Sequence, residues 1–245
     1  MQVLVLVTLM LKQLVDAEVV SQFNINMLLK EQTITIDPVG GQLRDILTTD
    51  EIEMWATILK KAPIVAVRNN LMAAVDENNN MYGMFKKYCF SKIQSIFGED
   101  LELIFGMLLQ ENTPWKIHTD AYHCIGFDDR MPAISFLIPY SVDDNKDLID
   151  RVHTIVFNEH GATEDELVIE DKTHRSDSAS LIYDMHLSHN SRDRVNALTV
   201  QGIYKWHPNS IIYWNSMHFH DSDNYIKNGF TQKKAIVIHT YRKKE

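Results

Sequence analysis

Cysteine is scarce in this sequence. Only Cys89 and Cys124 occur among its 245 residues, too few for the disulfide framework that holds small secreted domains together. We therefore predict a reduced, intracellular protein located in the cytoplasm. Cys124 lies four residues after Asp120 and could be a soft metal ligand. A small buried apolar side chain is the more common role of a lone cysteine.

The sequence also has fewer basic than acidic residues. Lysine and arginine total 24 against 33 acidic residues, which gives a net charge of −9. This balance argues against nucleic acid or an anionic membrane as the main partner. The apolar run Met1–Met10 is too short to span a bilayer, and no basic residue precedes Lys12, so it does not resemble a signal peptide. We expect this run to be a buried strand or the beginning of a helix.

The first hundred residues carry helical signals. Thr48 and Glu51 have the spacing of a capping box, and Pro63 should end the helix that follows. A second helix is predicted from near Asn80 to Gly98. The apolar residues of both helices recur at helical spacing: Ile52, Trp55, Ala56 and Leu59, then Tyr82, Phe85, Cys89, Ile93 and Ile96. We expect residues 1–100 to form a mostly helical support within a single domain, 1–245.

After Gly98 the pattern changes to short apolar runs rich in Ile, Val, Phe and Tyr, which predict strands. The predicted strands are Leu101–Leu109, Pro132–Tyr140, Val152–Phe157, Leu198–Trp206, Ser210–Trp214 and Ala235–Tyr241. Helices followed by serial strands favour a mainly β fold, with a β-barrel or sandwich over 101–245 buttressed by α-helices. The long polar segment 158–196 interrupts it, and we predict that it is an insertion forming a mobile lid.

One short motif points to metal chemistry. Side chains two positions apart on a strand share a face, so His118 and Asp120 would present an imidazole and a carboxylate to the same point. A third ligand from His218 or His220 would complete two histidines and one carboxylate, the ligand set of non-haem Fe(II) oxygenases. His218 and His220 have the same parity, so strand geometry leaves the choice between them open.

These motifs occur in an order that resembles a known family. His118-x-Asp120 is followed by an apolar run, Pro208–Trp214, that leads into Phe219-His220, and then by Gly229–Lys233 before the apolar run Ala235–Ile238. In this arrangement the chain resembles the Fe(II)- and 2-oxoglutarate-dependent dioxygenases, whose fold is a double-stranded β-helix. The resemblance implies a jelly-roll, cupin-like barrel as the core, 101–245. The resemblance covers roughly Leu101 to Arg242. The family spacing favours His220 over His218 as the distal ligand.

The resemblance implies roles for individual residues. His118, Asp120 and His220 would hold Fe(II), and the cosubstrates 2-oxoglutarate and O₂ would take the remaining positions. The reaction would hydroxylate a substrate while 2-oxoglutarate is decarboxylated to succinate. A basic residue at the start of the last core strand would bind the far carboxylate of 2-oxoglutarate, and we assign this role to Lys233. Its neighbour Lys234, on the opposite face, is the alternative. Many members of the family have arginine here, and lysine binds as a point charge without the bidentate fork.

Other interpretations remain open. The same architecture occurs in cupin-like modules that bind a metal or ligand without redox chemistry, and two histidines with an aspartate also suit a metal-dependent isomerase or zinc hydrolase. If the chain is an oxygenase, the polar composition of segment 158–196 favours a small polar molecule or a peptide side chain as the substrate.

The remaining histidines and two nearby carboxylates carry weaker signals. We expect His186 and His189 to be solvated on a helix of the polar segment. The other histidines are spread singly through the sequence, and we expect no role for them: His123, His153, His160, His174, His207 and His239. Asp221 and Asp223 could orient the metal ligands or could be ordinary loop residues.

Overall fold

The computed structural model describes residues 36–161 and 177–244. The apolar run Met1–Met10 and the middle of the predicted lid, residues 162–176, lie outside the described residues. All described residues belong to one compact unit, Ile36–Glu245.

Ten strands and five α-helices make up the described part of the chain, joined by shorter helical turns. The strands are β1 (Gly40–Leu43), β2 (Ile64–Val67), β3 (Asn70–Asp76), β4 (Glu102–Glu111), β5 (Arg130–Val142), β6 (His153–His160), β7 (Val200–Lys205), β8 (Ile211–Asn215), β9 (His218–Ser222) and β10 (Lys233–Lys243). The α-helices are α1 (Thr49–Leu59), α2 (Tyr82–Phe85), α3 (Ser91–Phe97), α4 (Asp177–Ile182) and α5 (Arg192–Asn196). Lys86–Phe90 and Tyr183–Leu187 are π-helical turns, and Ala121–Cys124 and Lys146–Arg151 are 3₁₀ turns.

The strands form two antiparallel sheets. The large sheet has the order β1-β8-β5-β10-β4-β3-β2 and the small sheet the order β7-β6-β9. Side chains on the two faces of β10 pack in two different cores. Ile236 and Ile238 pack under the helices α1–α3. Ala235 and Val237 pack on the other face, in the core that also holds Val156 of the small sheet. The prediction of a mainly β fold with helices packed on it is confirmed.

The predicted barrel is not closed. Among the described residues no strand pairing joins the large sheet to the small one. The layers are held by side-chain packing, and a third core lies on the outer face of the small sheet, where Phe157 and Phe219 meet Leu187 and Val195 of the polar segment. The described end of that segment is therefore helical and packed. Its mobility as a lid stays a prediction.

Both predicted helical regions are present. The Thr48 side chain accepts from the Glu51 amide and the Glu51 carboxylate accepts from the Thr48 amide, so the capping box before α1 is formed. That helix ends at Leu59, ahead of Pro63. The second region runs from Tyr82 to Phe97 through the π-helical turn and stops at Gly98, whose φ of 126° suits glycine.

The six predicted strands after Gly98 are also present, but the sequence analysis missed β1, β2 and β3 in the region expected to be helical. The hairpin between β2 and β3 turns through Arg68 and Asn69, which have φ values of 49° and 69°. This is the conformation of a type I′ turn, yet the pair lacks the glycine by which such turns are recognised. The edge strand β2 is uniformly apolar and mostly exposed, so it shows no alternation.

In the described part of the chain, no helix is long and apolar enough to cross a lipid bilayer.

The contact between α2 and the large sheet gives a test of the packing. A methyl group at Gly106 of β4 would overlap the ring of Phe85, which is fully buried, whereas a methyl group at Gly83 of α2 would meet nothing within 4 Å. Gly106→Ala should therefore lower the free energy of unfolding by about 1–3 kcal/mol. The matched variant Gly83→Ala should leave it unchanged or raise it by up to about 1 kcal/mol, because alanine favours the helix. Urea denaturation of both variants measures this, and equal losses would contradict the packing described here.

Candidate metal centre

His118 and Asp120 lie between β4 and β5 in a segment that forms no regular strand, although the sequence analysis placed them on one. Asp120 has a ψ of 1°, so the backbone is not extended there. His118 makes one antiparallel bridge to His220 of β9, with the His118 amide 3.1 Å from the His220 carbonyl and the His220 amide 3.0 Å from the His118 carbonyl. The Asp120 amide donates to the Ser216 carbonyl at 2.9 Å. These backbone bonds bring the two parts of the sequence motif together.

The three predicted ligands converge. One ligating atom from each of His118, Asp120 and His220 lies within 4.8 Å of the others. His118 Nε2 is 3.9 Å from Asp120 Oδ1, and His220 Nε2 is 3.5 Å from Asp120 Oδ2. Two imidazoles and one carboxylate facing one point are the arrangement that the sequence pattern predicted.

Both imidazoles are oriented by backbone carbonyls. His118 Nδ1 lies 2.7 Å from the Lys116 carbonyl, and His220 Nδ1 lies 3.3 Å from the His218 carbonyl. Since a carbonyl only accepts, each Nδ1 carries a proton in these contacts, and a neutral ring then keeps a lone pair on Nε2. Such a bond on the far nitrogen fixes the tautomer and direction of histidines that bind metals.

The electrostatics of the centre favour a neutral imidazole beside an ionised carboxylate. Burial lowers the pKa of His220 to about 4, although Asp120 opposes this shift. Burial alone would raise the pKa of the Asp120 carboxyl, but the imidazoles of His220, His239 and His118 outweigh it and hold that pKa below its usual range. Near neutral pH these groups are therefore in the protonation states that bind a cation.

Two further histidines, expected to have no role, lie beside Asp120. His239 Nδ1 is 3.6 Å from Asp120 Oδ2 and 3.0 Å from the Ser135 hydroxyl, and the rings of His123 and His239 are 4.5 Å apart. Asp120, His123 and His239 also have ligating atoms within 4.8 Å of one another. Burial lowers the pKa of His123 to about 3 and lowers that of His239. They surround the Asp120 carboxylate with further imidazoles.

The two candidates for the distal ligand have different surroundings. His220 faces Asp120, whereas His218 bonds the Phe157 carbonyl through Nδ1 at 3.0 Å and lies against the ring of His160. The two histidines share a face of β9, but two residues along a strand correspond to a shift of about 7 Å, which takes His218 beyond the centre.

The two adjacent lysines point in opposite directions, as their positions on one strand require. Lys233, the first residue of β10, has a side chain that is 1% exposed and lies over the ring of Trp206. Lys234 pairs with Asp144 on the outside. In the described part of the chain, Lys233 is the only buried lysine or arginine.

Sequence reasoning missed the partner of Lys233. Glu111, at the end of β4, lies directly opposite Lys233 in the strand register, with its Oε2 3.6 Å from the Lys233 ammonium and 2.8 Å from the Ser222 hydroxyl. Burial raises the pKa of Glu111, and the ammonium and the hydroxyl offset part of this shift. A glutamate at the end of an apolar strand gives no signal of this contact, because the sequence of neither strand specifies that β4 pairs with β10.

The ligands and the lysine line one cavity of about 680 Å³. It lies between the sheets, and His118, Asp120, His220, Lys233 and Glu111 all contribute to its wall. The rest of its lining is largely apolar and includes Met72, Phe105, Met107, Leu137, Trp214 and Val237, with Arg68 and Asp76 among the polar members. A small anionic molecule could thus contact the metal ligands and the buried ammonium together.

Similarity to known proteins was found only among solved structures. No family model and no curated protein matches the chain. Among solved structures, a 2OG-Fe(II) oxygenase family oxidoreductase from Burkholderia pseudomallei aligns with 83% of this chain and 84% of its own, at 10% identity and a TM-score of 0.49.

Two further matches are of the same kind. HygX from Streptomyces hygroscopicus, with nickel, 2-oxoglutarate and hygromycin B bound, aligns over 84% of both chains at 10% identity and a TM-score of 0.47. A prolyl hydroxylase from Trichoplax adhaerens, in complex with a hypoxia inducible factor peptide fragment, aligns over 84% of both chains at 10% identity and a TM-score of 0.45. The chain is thus similar to solved 2OG-Fe(II) oxygenases at low sequence identity.

The indole of Trp214 offers a test of the centre. Its Nε1 donates to Asp120 Oδ2 at 3.0 Å and its ring lies against His220. Trp214→Phe keeps an aromatic ring but loses the bond that orients the carboxylate, so Co²⁺ affinity should fall by roughly 10–100-fold. The matched variant Trp55→Phe removes an indole nitrogen of α1 that has no partner among the described residues and lies in the core shared by the helices and the large sheet. The Co²⁺ affinity of Trp55→Phe, measured by calorimetric titration, should equal that of the wild type. Equal losses of Co²⁺ affinity in both variants would contradict the assignment of the metal centre.

Proposed function

We propose that this chain is an Fe(II)- and 2-oxoglutarate-dependent oxygenase with a double-stranded β-helix fold, which hydroxylates a small polar molecule or a peptide side chain. The observation that carries the proposal is the convergence of His118, Asp120 and His220 in a cavity whose wall also holds the buried ammonium of Lys233. Neither half of this arrangement alone would suggest the function.

The donor set suits Fe(II). Two imidazole nitrogens and one carboxylate occupy one face of a metal and leave the opposite positions open for other ligands. The Trp214 indole and the carbonyls of Lys116 and His218 hold these donors in place. A site fixed in this way needs little rearrangement to bind a metal.

Lys233 suits the far carboxylate of 2-oxoglutarate. A dianion taken into a buried cavity needs a cation, because an unpaired buried carboxylate is costly. Lys233 supplies that charge at 1% exposure, with its ammonium over the buried rings of Trp206 and Tyr225. The ammonium would fix the cosubstrate at one end while the metal ligands define the other end.

In the reaction, with O₂ as the oxidant, bound Fe(II) and 2-oxoglutarate would supply hydroxylation of a substrate C–H bond. One oxygen atom of O₂ would enter the substrate and the other would enter succinate, with release of CO₂. The part of the protein is to hold the reactants in a fixed geometry and to keep water away from them. The apolar wall formed by Phe105, Leu137 and Val237 serves the second purpose. His118, Asp120 and His220 serve the first.

A polar substrate is supported by charged groups on the cavity wall. Arg68, in the turn between β2 and β3, and Asp76, at the end of β3, both contribute to it. The two groups are exposed at opposite ends of β3, so each could bind a different polar group of a substrate. We further propose that residues 1–100 support the core and that segment 158–196 is an insertion beside the site, since His189 of that segment lies 3.3 Å from Asp221.

One observation favours a different function. Glu111 already faces the Lys233 ammonium, so this lysine has a partner without 2-oxoglutarate. A non-catalytic cupin-like module that binds a metal or ligand could use the same buried pair to stabilise its core. Turnover of 2-oxoglutarate separates the two functions, because only the oxygenase forms succinate.

The lysine pair gives a matched test of cosubstrate binding. Lys233→Met keeps most of the side-chain volume and removes the charge, so the KM for 2-oxoglutarate should rise at least tenfold while Co²⁺ affinity stays near the wild-type value. Lys234→Met changes a lysine that pairs outside the cavity with Asp144, so the KM should be unchanged. Succinate formation in the presence of Fe(II) measures both variants. A wild-type protein that binds metal but forms no succinate would favour the binding module.

Glu111 should compete with the cosubstrate for Lys233. Glu111→Gln keeps the size of the side chain and its bond to the Ser222 hydroxyl but removes a negative charge from the cavity. The KM for 2-oxoglutarate should fall by roughly threefold to tenfold, which corresponds to about 1 kcal/mol. Asp144→Asn, the equivalent change at the external lysine, should leave the KM unaltered. A higher KM in Glu111→Gln would mean that the glutamate holds Lys233 in its binding position.

A further inference from the structure

A second group of metal-ligating side chains lies outside the cavity. His153 begins β6, His186 lies in the π-helical turn Tyr183–Leu187, and Asp223 directly follows β9. One ligating atom from each lies within 4.8 Å of the others. His153 Nδ1 is 3.1 Å from Asp223 Oδ2, and the rings of His153 and His186 are 4.9 Å apart. The three residues come from distant parts of the sequence, so the fold itself brings them together.

The hydrogen bonding of this group is incomplete. Asp223 is 0% exposed, and its Oδ2 accepts from both the amide and Nδ1 of His153. Asp223 Oδ1 and His186 Nδ1 are also buried, and neither has a hydrogen-bond partner among the described residues. A buried carboxylate oxygen without a donor is costly, and so is a buried imidazole nitrogen without a partner. A bound cation would satisfy both atoms.

We propose that His153, His186 and Asp223 form a second metal site, for Zn²⁺, distinct from the site formed by His118, Asp120 and His220. Zinc binds imidazole nitrogen and carboxylate oxygen at about 2.0–2.2 Å, so neighbouring ligand atoms are about 3.3 Å apart in a tetrahedron. The separation of 3.1 Å between His153 Nδ1 and Asp223 Oδ2 is near this value, and binding would release the Nδ1 proton that forms their hydrogen bond in the metal-free protein. The fourth position would be taken by water, which can enter beside His153, whose side chain is 23% exposed.

The state of His186 is compatible with this role. Burial lowers its pKa, and the neighbouring His153 lowers it further, while Asp223 acts in the opposite sense. A neutral imidazole is the form that binds a metal. Burial thus keeps His186 available as a ligand at neutral pH.

A metal here would fasten the polar segment to the β-core. His186 belongs to that segment, whereas His153 and Asp223 belong to the small sheet and the loop that follows it. Two bonds at the same junction support the docking: the Asn224 amide donates to the His186 carbonyl at 2.7 Å, and the Asn224 side chain donates to the Ser188 hydroxyl at 2.9 Å. Zinc would therefore stabilise the packing of residues 177–196 without contacting the cavity.

Metal stoichiometry of the full-length protein tests the proposal, with Co²⁺ as the probe. The His220→Ala variant, which removes a ligand of the first site, should still bind one Co²⁺ per chain at micromolar concentration. Adding His186→Ala to it should abolish this binding. His160→Ala in the same background is the control, because His160 is exposed and belongs to neither group, and it should change nothing.

A second readout does not depend on the first site. In the His220→Ala background, Zn²⁺ should raise the Tm, and it should not do so once His186→Ala is added. Should that double variant fail to fold, Asp223→Asn replaces His186→Ala, since it keeps the size of the side chain. If His220→Ala binds no Co²⁺ at micromolar concentration, or if its binding survives both His186→Ala and Asp223→Asn, the proposal is wrong and ordered water satisfies these atoms instead.

The outcomes also separate this proposal from the proposed function. If His118, Asp120 and His220 bind no metal, the wild type and His220→Ala should each bind one Co²⁺ per chain, and His186→Ala should bind none. If His153, His186 and Asp223 bind no metal, the wild type should bind one Co²⁺ per chain and His220→Ala should bind none.

Discussion

The backbone pairing of His118 with His220 is the contact on which the candidate centre depends. Two hydrogen bonds of 3.1 and 3.0 Å join the segment after β4 to β9, and the Asp120 amide adds a third bond to Ser216. Each of the three ligands lies in or next to this pairing. Because the bonds are between backbone atoms, they fix the positions of the ligand Cα atoms before any metal binds, and a metal site prepared in this way loses less entropy on binding. The two sheets then close a cavity around it.

Burial of charge is the second constraint on the cavity. Asp120 sits among four imidazoles, and Lys233 faces Glu111. Lys233 and Glu111 thus pair with each other, as the cost of an unpaired buried ion requires, and the Asp120 carboxylate accepts a hydrogen bond from the Trp214 indole. We expect an entering anion either to contact the three candidate ligands or to compete with Glu111 for Lys233. A neutral apolar ligand would do neither.

Much of the fold was predictable from the sequence, and the failures have physical causes. Local sequence patterns predicted the capping box at Thr48, the end of the second helical region at Gly98 and the six strands after it. The edge strand β2 was missed because it is exposed and uniformly apolar. The contacts of Glu111 with Lys233, of His239 with Asp120, and of His186 with His153 join residues far apart in the sequence. They depend on which strands and segments lie side by side, which local periodicity does not specify.

The most direct measurement of the central claim is the visible absorption spectrum of the protein with Fe(II) and 2-oxoglutarate in the absence of O₂. If both bind at one site, a metal-to-ligand charge-transfer band should develop on adding 2-oxoglutarate to the iron-loaded protein. The band should be absent in His220→Ala and should need a higher 2-oxoglutarate concentration in Lys233→Met. A protein that binds Fe(II) through His118, Asp120 and His220 but gives no band at any concentration of 2-oxoglutarate would contradict the account.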